Sequence, residues 1–445
     1  MSEPTQSHFA RYQLVELAAP GSDTFVDGPF GSSLKSHEYV DSGVRLIQLQ
    51  NIGEGDWRDE NKRFITPRKF KTLERHGALP GDIAIAKMAD PVARACLVPA
   101  VSEQFVVVAD CIRLRLDESR FDAGYVVRAI NSPYTRREAE RKAIGSTRVR
   151  INLSVLKTVG CLAPDLPVQK KITRVLDTID TAIHKTEVII AKLKAIKQGL
   201  LHDLLTRGVD ANGELRPSHA EAPHLYQDSP LGWIPKEWEQ TNFGARVGLL
   251  GGYGFPERFQ SHAEGEMPFF KVSDQSSLGN ERELRFANHY VSRDRARKQG
   301  WRPLPKDGVA FAKVGAALLL NRRRILAQDS LVDNNMMVAI AVDSLSSRWL
   351  YWFLQTVDFG LFVQPGALPS INQGQLSALS VAFPDVEEQD AIAARLDQID
   401  MKAETEQGEL RKLVKLKTGL MDDLLTGRVR VTPLLTEATQ RQGGA

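Results

Sequence analysis

Apolar residues recur along two stretches of the chain at the alternating three- and four-residue spacing of a coiled-coil seam. In the first stretch the stripe runs through Ile172, Leu176, Ile179, Ile183, Ile190, Leu193, Ile196, Leu200 and Leu204. In the second it runs through Ile392, Leu396, Ile399, Ala403, Leu410, Leu413, Leu416, Leu420 and Leu424, with Thr186 and Glu406 as the polar breaks. Each stretch holds roughly 40 residues, which predicts a helix about 60 Å long. An amphipathic helix of that length has to bury its stripe, and its own copy is the obvious partner.

The two stretches are copies of one another. From Pro164 and Pro384 they align without a gap at an offset of 220 residues, matching Gln169 with Gln389, Leu176-Asp177 with Leu396-Asp397, Ile179-Asp180 with Ile399-Asp400 and Lys197 with Lys417. The offset also pairs Ile151-Asn152 with Ile371-Asn372 and Leu156 with Leu376, so the repeat begins before the helix. Further upstream it survives only with shifts: IAIAKM at 83–88 resembles VAFAKV at 309–314, and GVRLIQLQNI resembles GEMPFFKVSD. An approximate two-fold relation between the halves predicts antiparallel helices with a globular part at each end.

Outside the helices the pattern shortens to a period of two. LIQLQNI, DIAIAKM, FVVVADCIRLRL, MPFFKV, VAFAKVG and MMVAIAV read as strands bounded by Gly, Pro and Asp, and YVVRAINS and SRWLYWFLQT as single helices. The expected fold class is α+β: two mixed, β-rich domains separated by two long helices forming an antiparallel coiled coil, with a pseudo-two-fold internal repeat. The boundaries read as a first domain at 1–163, a helix at 164–209, a linker at 210–235, a second domain at 236–383, a second helix at 384–431 and a flexible tail at 432–445. The linker is rich in Pro, Gly, Ser and His, lacks periodicity, and is long enough to span a helix if extended.

Composition narrows the classes. Of 445 residues 42% are hydrophobic and 25% charged, which excludes disorder of the whole chain. With 58 Lys+Arg against 55 Asp+Glu the net charge is only +3, so polyanion binding has to come from local clusters. The 3 cysteines have no C-x-x-C spacing, which argues against a disulfide framework, a zinc ribbon or a dithiol site and fits a reducing compartment. The N-terminal residues carry no signal-peptide core, and no apolar run approaches membrane-spanning length. A soluble, cytoplasmic protein without membrane contact is expected.

The sequence carries no catalytic constellation at motif level: no phosphate-binding G-x-x-x-x-G-K-[ST], no G-x-G-x-x-G after a strand, no H-E-x-x-H, no G-x-S-x-G and no metal-ligand spacing. Asn131-Ser132-Pro133-Tyr134 resembles the Asn/Asp-Pro-Pro-Tyr/Phe motif with which amino-methyltransferases hold a flipped base, but departs at its second position; a helix-ending turn is the better reading. Gly251-Gly252-Tyr253-Gly254 lacks the following lysine of a phosphate loop and reads as a turn. His219 and His224 lie in the linker and read as solvated.

A basic signal remains in both halves. Arg136, Arg137, Arg141, Lys142, Arg148 and Arg150 cluster before Ile151; Arg293, Arg295, Arg297, Lys298 and Arg302 precede the run Arg322, Arg323, Arg324. Single clusters of this kind are commonly solvated faces, but recurrence in both halves favours DNA, whose guanine edges and phosphates arginine fits well. The DNA-binding candidates are Arg136, Arg137, Arg148, Arg150, Arg293, Arg297, Lys298, Arg322, Arg323 and Arg324. Gln169 and Gln389, at the two helix starts, are candidates for partner contact or for bracing those starts.

The repeated signature P-x-x-x-x-Q-x-x-I, L-D-x-I-D and K-x-G-L-[LM]-x-D-L-L-T, together with DGPFGSSLKSHEYVDSGVRLIQLQNI at 27–52 and LGWIPKEWE at 231–239, resembles the specificity subunits of type I restriction-modification systems over nearly the whole chain. Arg207-Gly208 inverts the order of Gly427-Arg428 and departs from that family's usual ending of the first helix. The resemblance implies two target-recognition domains on helical spacers, each reading one half of a bipartite double-stranded DNA sequence. It implies no cofactor in this chain, with S-adenosylmethionine, ATP and magnesium on partner subunits: two modification (methyltransferase) subunits and, in complete systems, two restriction subunits. Two alternatives stay open here, a DNA adenine methyltransferase and a coiled-coil scaffold that reads no sequence.

Overall fold

The computed structural model describes residues 9–429 apart from 30, 32, 89–90, 103, 146–148, 261–263 and 364–367. The tail expected at 432–445 and the candidate Arg148 lie outside the described residues. The chain divides into two compact units, Met1–Glu187 with Gly408–Ala445, and Val188–Gln407. The long helices, Leu166–Thr206 and Val386–Thr426, each contribute one part to each unit.

Within the first unit the two helical segments run antiparallel. Ile172 and Leu176 share a core with Leu424 and Leu425, while Asp180 pairs with Lys417 at 2.7 Å, so position rises on one segment as it falls on the other. The second unit repeats this: Leu201 and Leu204 bury with Ile392 and Leu396, and Lys197 pairs with Asp400 at 2.5 Å. The expected seam fails at one repeated position. Ile196 and Leu416 are 50% and 52% exposed, and their neighbours Lys197 and Lys417 face the acid pairs instead. A straight helix drifts by about 20° per heptad from a strict seven-residue repeat, which turns these positions outward.

The globular part of the first unit carries a four-stranded antiparallel sheet in the order Phe25–Asp27, Cys111–Leu114, Ile83–Ala86, Ala95–Leu97, and a second four-stranded sheet ordered Phe64–Ile65, Val44–Ile47, Phe105–Val107, Gly77–Ala78. The second unit has a five-stranded sheet, Val247–Gly251, Met336–Ala341, Val309–Ala312, Arg323–Leu326, Glu283–Leu284, and a three-stranded one, Tyr290–Val291, Met267–Phe270, Leu331–Val332. The central strands are buried throughout because both faces are covered: Ile83 and Ile85 enter one core and Ala84 and Ala86 another, as Val309 and Phe311 do against Ala310. A two-stranded ribbon precedes each long helix, Ala10–Gln13 with Gly160–Ala163 and Glu239–Asn242 with Ser380–Phe383.

Gln169 and Gln389 are each 1% exposed, which removes them as surfaces for a partner. The Gln169 amide donates to the Pro164 carbonyl at 2.7 Å and its oxygen accepts from the Asp122 amide at 2.9 Å. Gln389 donates to Pro384 at 2.8 Å and accepts from Ser346 at 2.8 Å. Asp122 and Ser346 are the N-caps of the helices Ala123–Asn131 and Ser347–Thr356. Each glutamine therefore ties a long helix to the N-terminus of a helix of its own domain, and the bracing role is the one the geometry carries.

Residues 207–238 are folded rather than extended. Arg216 forms a buried bidentate pair with Glu388, whose carboxylate also accepts from the Val209 amide at 2.8 Å and Trp238 Nε1 at 3.1 Å. His219, expected to be solvated, stacks on Trp233 at 4.0 Å. The absence of periodicity hid this turn because its order comes from side-chain hydrogen bonds within the segment and from a carboxylate on the distant second helix.

Candidate nucleic-acid interface

In both units the same parts converge at one end of the central strand. Ile83–Ala86 ends at Lys87 and Val309–Ala312 at Lys313. The ladders fix the correspondence: Asp27 pairs with Ile112 and Ile112 with Ile85, while Gly251 pairs with Met337 and Met337 with Phe311. Lys87 and Lys313 each stand two residues beyond those rows, so Lys87 corresponds to Lys313 and Asp27 to Gly251.

The neighbouring loops explain the glycines. A Cβ on Gly28 would lie 2.0 Å from the Val108 carbonyl oxygen, and one on Gly252 would lie 2.0 Å from that of Asp333. These loops must press bare backbone onto a neighbouring strand. The repeated Ile-Asn pair closes the other side. Ile151 and Ile371 donate their amides to the carbonyls of Lys87 and Lys313 at 2.8 and 2.9 Å, and Asn152 and Asn372 cap short helices through Val155 and Gln375. Each strand end is thus framed by a glycine loop, a lysine and the segment before the long helix.

The two frames differ in charge. In the first unit Lys87 Nζ donates to Asp27 Oδ2 and to the Ala109 carbonyl, both at 3.2 Å, and Arg150 pairs with Asp110. In the second unit the corresponding carboxylates are replaced by Gly251 and Asn335. Lys313 is half-buried, and its Nζ has no hydrogen-bond or ion-pair partner among the described residues. Burial raises the pKa of nearby Asp333 above the usual carboxylate value against the hydrogen bond from Asn335.

The arginine candidates separate. Arg136 is buried, bonded to Glu54 at 3.1 Å and Asn131 at 2.8 Å, and burial lowers its pKa from the usual arginine value. Arg323 is 1% exposed, donates to the carbonyls of Asn321 and Val357 and lies 3.8 Å over Phe359; burial brings its pKa down to about 10. Both guanidiniums are spent on partners within their own domains. Arg324 is half-buried against the Gln275 carbonyl at 3.1 Å, and Arg322 is half-buried and anchored on Ser276, so the run is not one exposed cluster. Arg137, Arg150, Arg293, Arg297 and Lys298 are exposed. Arg293, Arg297 and Lys298 share the short helix Arg293–Lys298, beside Arg295 held 4.9 Å over Phe259.

Asn131-Ser132-Pro133-Tyr134 is a helix break. Asn131 bonds both backbone groups of Ala95, at 3.1 and 2.8 Å, and Ser132 Oγ donates to Ala129 at 2.7 Å. The asparagine is therefore committed to an edge strand. Sequence reasoning saw the IAIAKM and VAFAKV likeness without seeing Lys87 and Lys313 as site residues; the signal was a charge at the end of an otherwise apolar strand.

The model of the type I restriction modification DNA specificity domain matches residues 247–415. A putative type I restriction enzyme MjaX specificity subunit from Methanocaldococcus jannaschii is 20% identical over 406 residues, 87% of this chain and 88% of the relative. The MjaVIII specificity subunit of the same organism is 21% identical over 293 residues, 64% and 65% of the two chains. Residues 247–415 thus match the DNA specificity domain, and most of the chain is similar to type I restriction enzyme specificity subunits. The crystal structure of an S subunit from M. genitalium shares the fold, with TM-score 0.58 and 12% identity, covering 96% of this chain and 98% of that one. The relatives are specificity subunits by name, and the repeated strand ends are this chain's candidate contact surfaces. No helix among the described residues is long and apolar enough to cross a membrane.

Proposed function

We propose that this chain is the specificity subunit of a type I restriction-modification system, that each of its units reads one half of a bipartite double-stranded DNA site, and that methyl transfer and cleavage belong to other chains. The observation that carries the reading is the recurrence of the glycine loop, strand-end lysine and Ile-Asn segment in two units whose surrounding side chains differ. One scaffold built twice with unlike surfaces suits two unlike half-sites.

Two modification subunits, one per repeat, fit the duplicated helices. With Gln169 and Gln389 buried, the exposed repeated face moves to Lys192, Ile196 and Gly199 and to Lys412, Leu416 and Gly419. A Cβ on Gly199 or Gly419 would meet nothing within 4 Å, yet glycine inside a helix costs about 1 kcal/mol. A partner's close approach accounts for that cost. S-adenosylmethionine, ATP and magnesium are then partner cofactors, and the setting is the cytoplasm of a prokaryote.

The test is methylation by the purified chain with S-adenosylmethionine, alone and with its modification subunits. Activity only in the mixture, at sites with two separated specified halves, supports the reading. Methyl transfer by the chain alone returns the methyltransferase alternative; assembly without sequence preference returns the scaffold.

A further inference from the structure

We infer that Lys313 is a phosphate-binding residue of the second domain and that its counterpart Lys87 is not, so that the two domains grip the DNA backbone unequally. This rests on the proposed reading of DNA and adds to it where the second half-site is held. The geometry is the pair of matched strand ends. Lys87 is neutralised by Asp27 at 3.2 Å and further held by the Ala109 carbonyl. At the matching place in the second unit the ladder puts Gly251, and a Cβ built there would lie 3.5 Å from Lys313 Nζ. The space that a carboxylate fills in one domain is empty of side chain in the other.

An ammonium that is half-buried and unpaired gives up hydration without compensation, which an anion restores. Lys271, just after the strand Met267–Phe270, has its Nζ 3.2 Å from Gln260 Oε1, and its charge acts on Asp333. In the loop Gly251-Gly252-Tyr253-Gly254 a Cβ on Gly254 would meet nothing within 4 Å, and backbone that carries no side chain lets a duplex approach closely. Arg150, which adds a second neutralised pair in the first unit, has Ser370 in its place: Met88 bridges Arg150 and Val314 bridges Ser370. The carboxylates that pair with Lys87 and Arg150 in the first unit therefore have no counterpart at the matching positions Gly251 and Asn335 of the second.

The experiment uses the full chain assembled with its modification subunits and measures DNA affinity against salt for three variants. Lys313→Met should weaken binding about threefold to tenfold at low salt and lower the salt slope by roughly one phosphate, ~0.9, for DNA of either cognate or scrambled second half-site. Gly251→Asp, which copies Asp27 onto a backbone outside the left-handed region, should reproduce that loss with the lysine still present. Lys87→Met should leave the slope unchanged. An unchanged slope in Lys313→Met, or a loss confined to one base position of the cognate site, overturns the proposal, as does loss of assembly with the modification subunits. Inorganic phosphate binding by the DNA-free complex that Lys313→Met removes without changing DNA affinity assigns the site to a free anion and overturns it too. A wild-type complex that binds no bipartite DNA refutes the functional reading itself, whereas wild-type binding with an indifferent Lys313→Met refutes only this inference.

Discussion

Asp180 on the first long helix holds Lys417 on the second at 2.7 Å, and the residues at the same offset, Asp400 and Lys197, make the same pair with the roles of the helices exchanged. The repeated L-D-x-I-D and K-x-G-L signatures thus meet each other across the helix pair inside each unit. The first aspartate of the signature faces the domain instead. Asp177 accepts from Arg128 at 2.6 Å, and Asp397 accepts from Trp352 Nε1 at 2.9 Å. Arg128 and Trp352 each lie six residues beyond their N-caps, Asp122 and Ser346. The second acid spans both, since Asp180 also accepts from Arg128 at 2.8 Å and Asp400 from Arg282 at 3.4 Å, so the helix pair and the domain are tied at one place.

Register should respond to charge exchange. Asp180→Lys places two cations together and should lower stability, and the added Lys417→Asp should recover most of it. A double-mutant cycle read by chemical denaturation should give a coupling of about 0.5–1 kcal/mol, since both side chains are about a third exposed. Coupling near zero would remove the pair from the account of register.

Acid should loosen the second unit through Asp397. Burial pushes its pKa up, but the hydrogen bonds and charges of Arg348 and Arg282 outweigh burial and hold it below the ordinary carboxylate value. A carboxylate depressed by folding adds stability that is complete above its unfolded pKa, about 3.9, and is lost as pH falls through the folded value. The melting temperature should fall below about pH 4 more steeply in wild type than in Asp397→Asn. Parallel pH profiles would contradict this.

Gln389→Ala strips the Ser346 amide and the Pro384 carbonyl of their partners in a buried setting. The expected cost is about 1–3 kcal/mol in unfolding. Gln389→Glu should cost at least as much, because a buried carboxylate cannot donate to Pro384. Weaker binding of a modification subunit with stability unchanged would restore the glutamine as a contact residue.

Arg323→Ala should destabilise the second unit, because the guanidinium fills a buried site against Phe359 and two carbonyls. Arg297→Ala, 79% exposed with a weak 3.8 Å contact to Asp294, should leave stability within about 0.5 kcal/mol and act only on DNA affinity. The reverse ordering would mean the exposed basic helix is structural.

Much of the architecture was legible because periodicity and duplication are local properties of a sequence. The long helices, the repeat and the strands at Ile83–Ala86 and Val309–Ala312 all followed from them. What escaped depended on distant contacts. Arg323 looks like its neighbours until the strand alternation turns it inward, and the turn around Arg216 needs Glu388 from the second helix. Ile196 and Leu416 satisfied the seven-residue count but not the true turn of the helix. The strand-end lysines were visible as letters; their unequal pairing required the ladder that equates Asp27 with Gly251.

The central claim is that each unit reads its own half-site, and methylation mapping of a chimaera tests it most directly. The second globular part, from the ribbon at Glu239–Asn242 to the ribbon at Ser380–Phe383, is exchanged for that of another specificity subunit, and methylated adenines are mapped in cells carrying the modification subunits. The account predicts a motif in two separated halves of which one changes and the other is kept. A continuous motif, or a change in both halves at once, would contradict it.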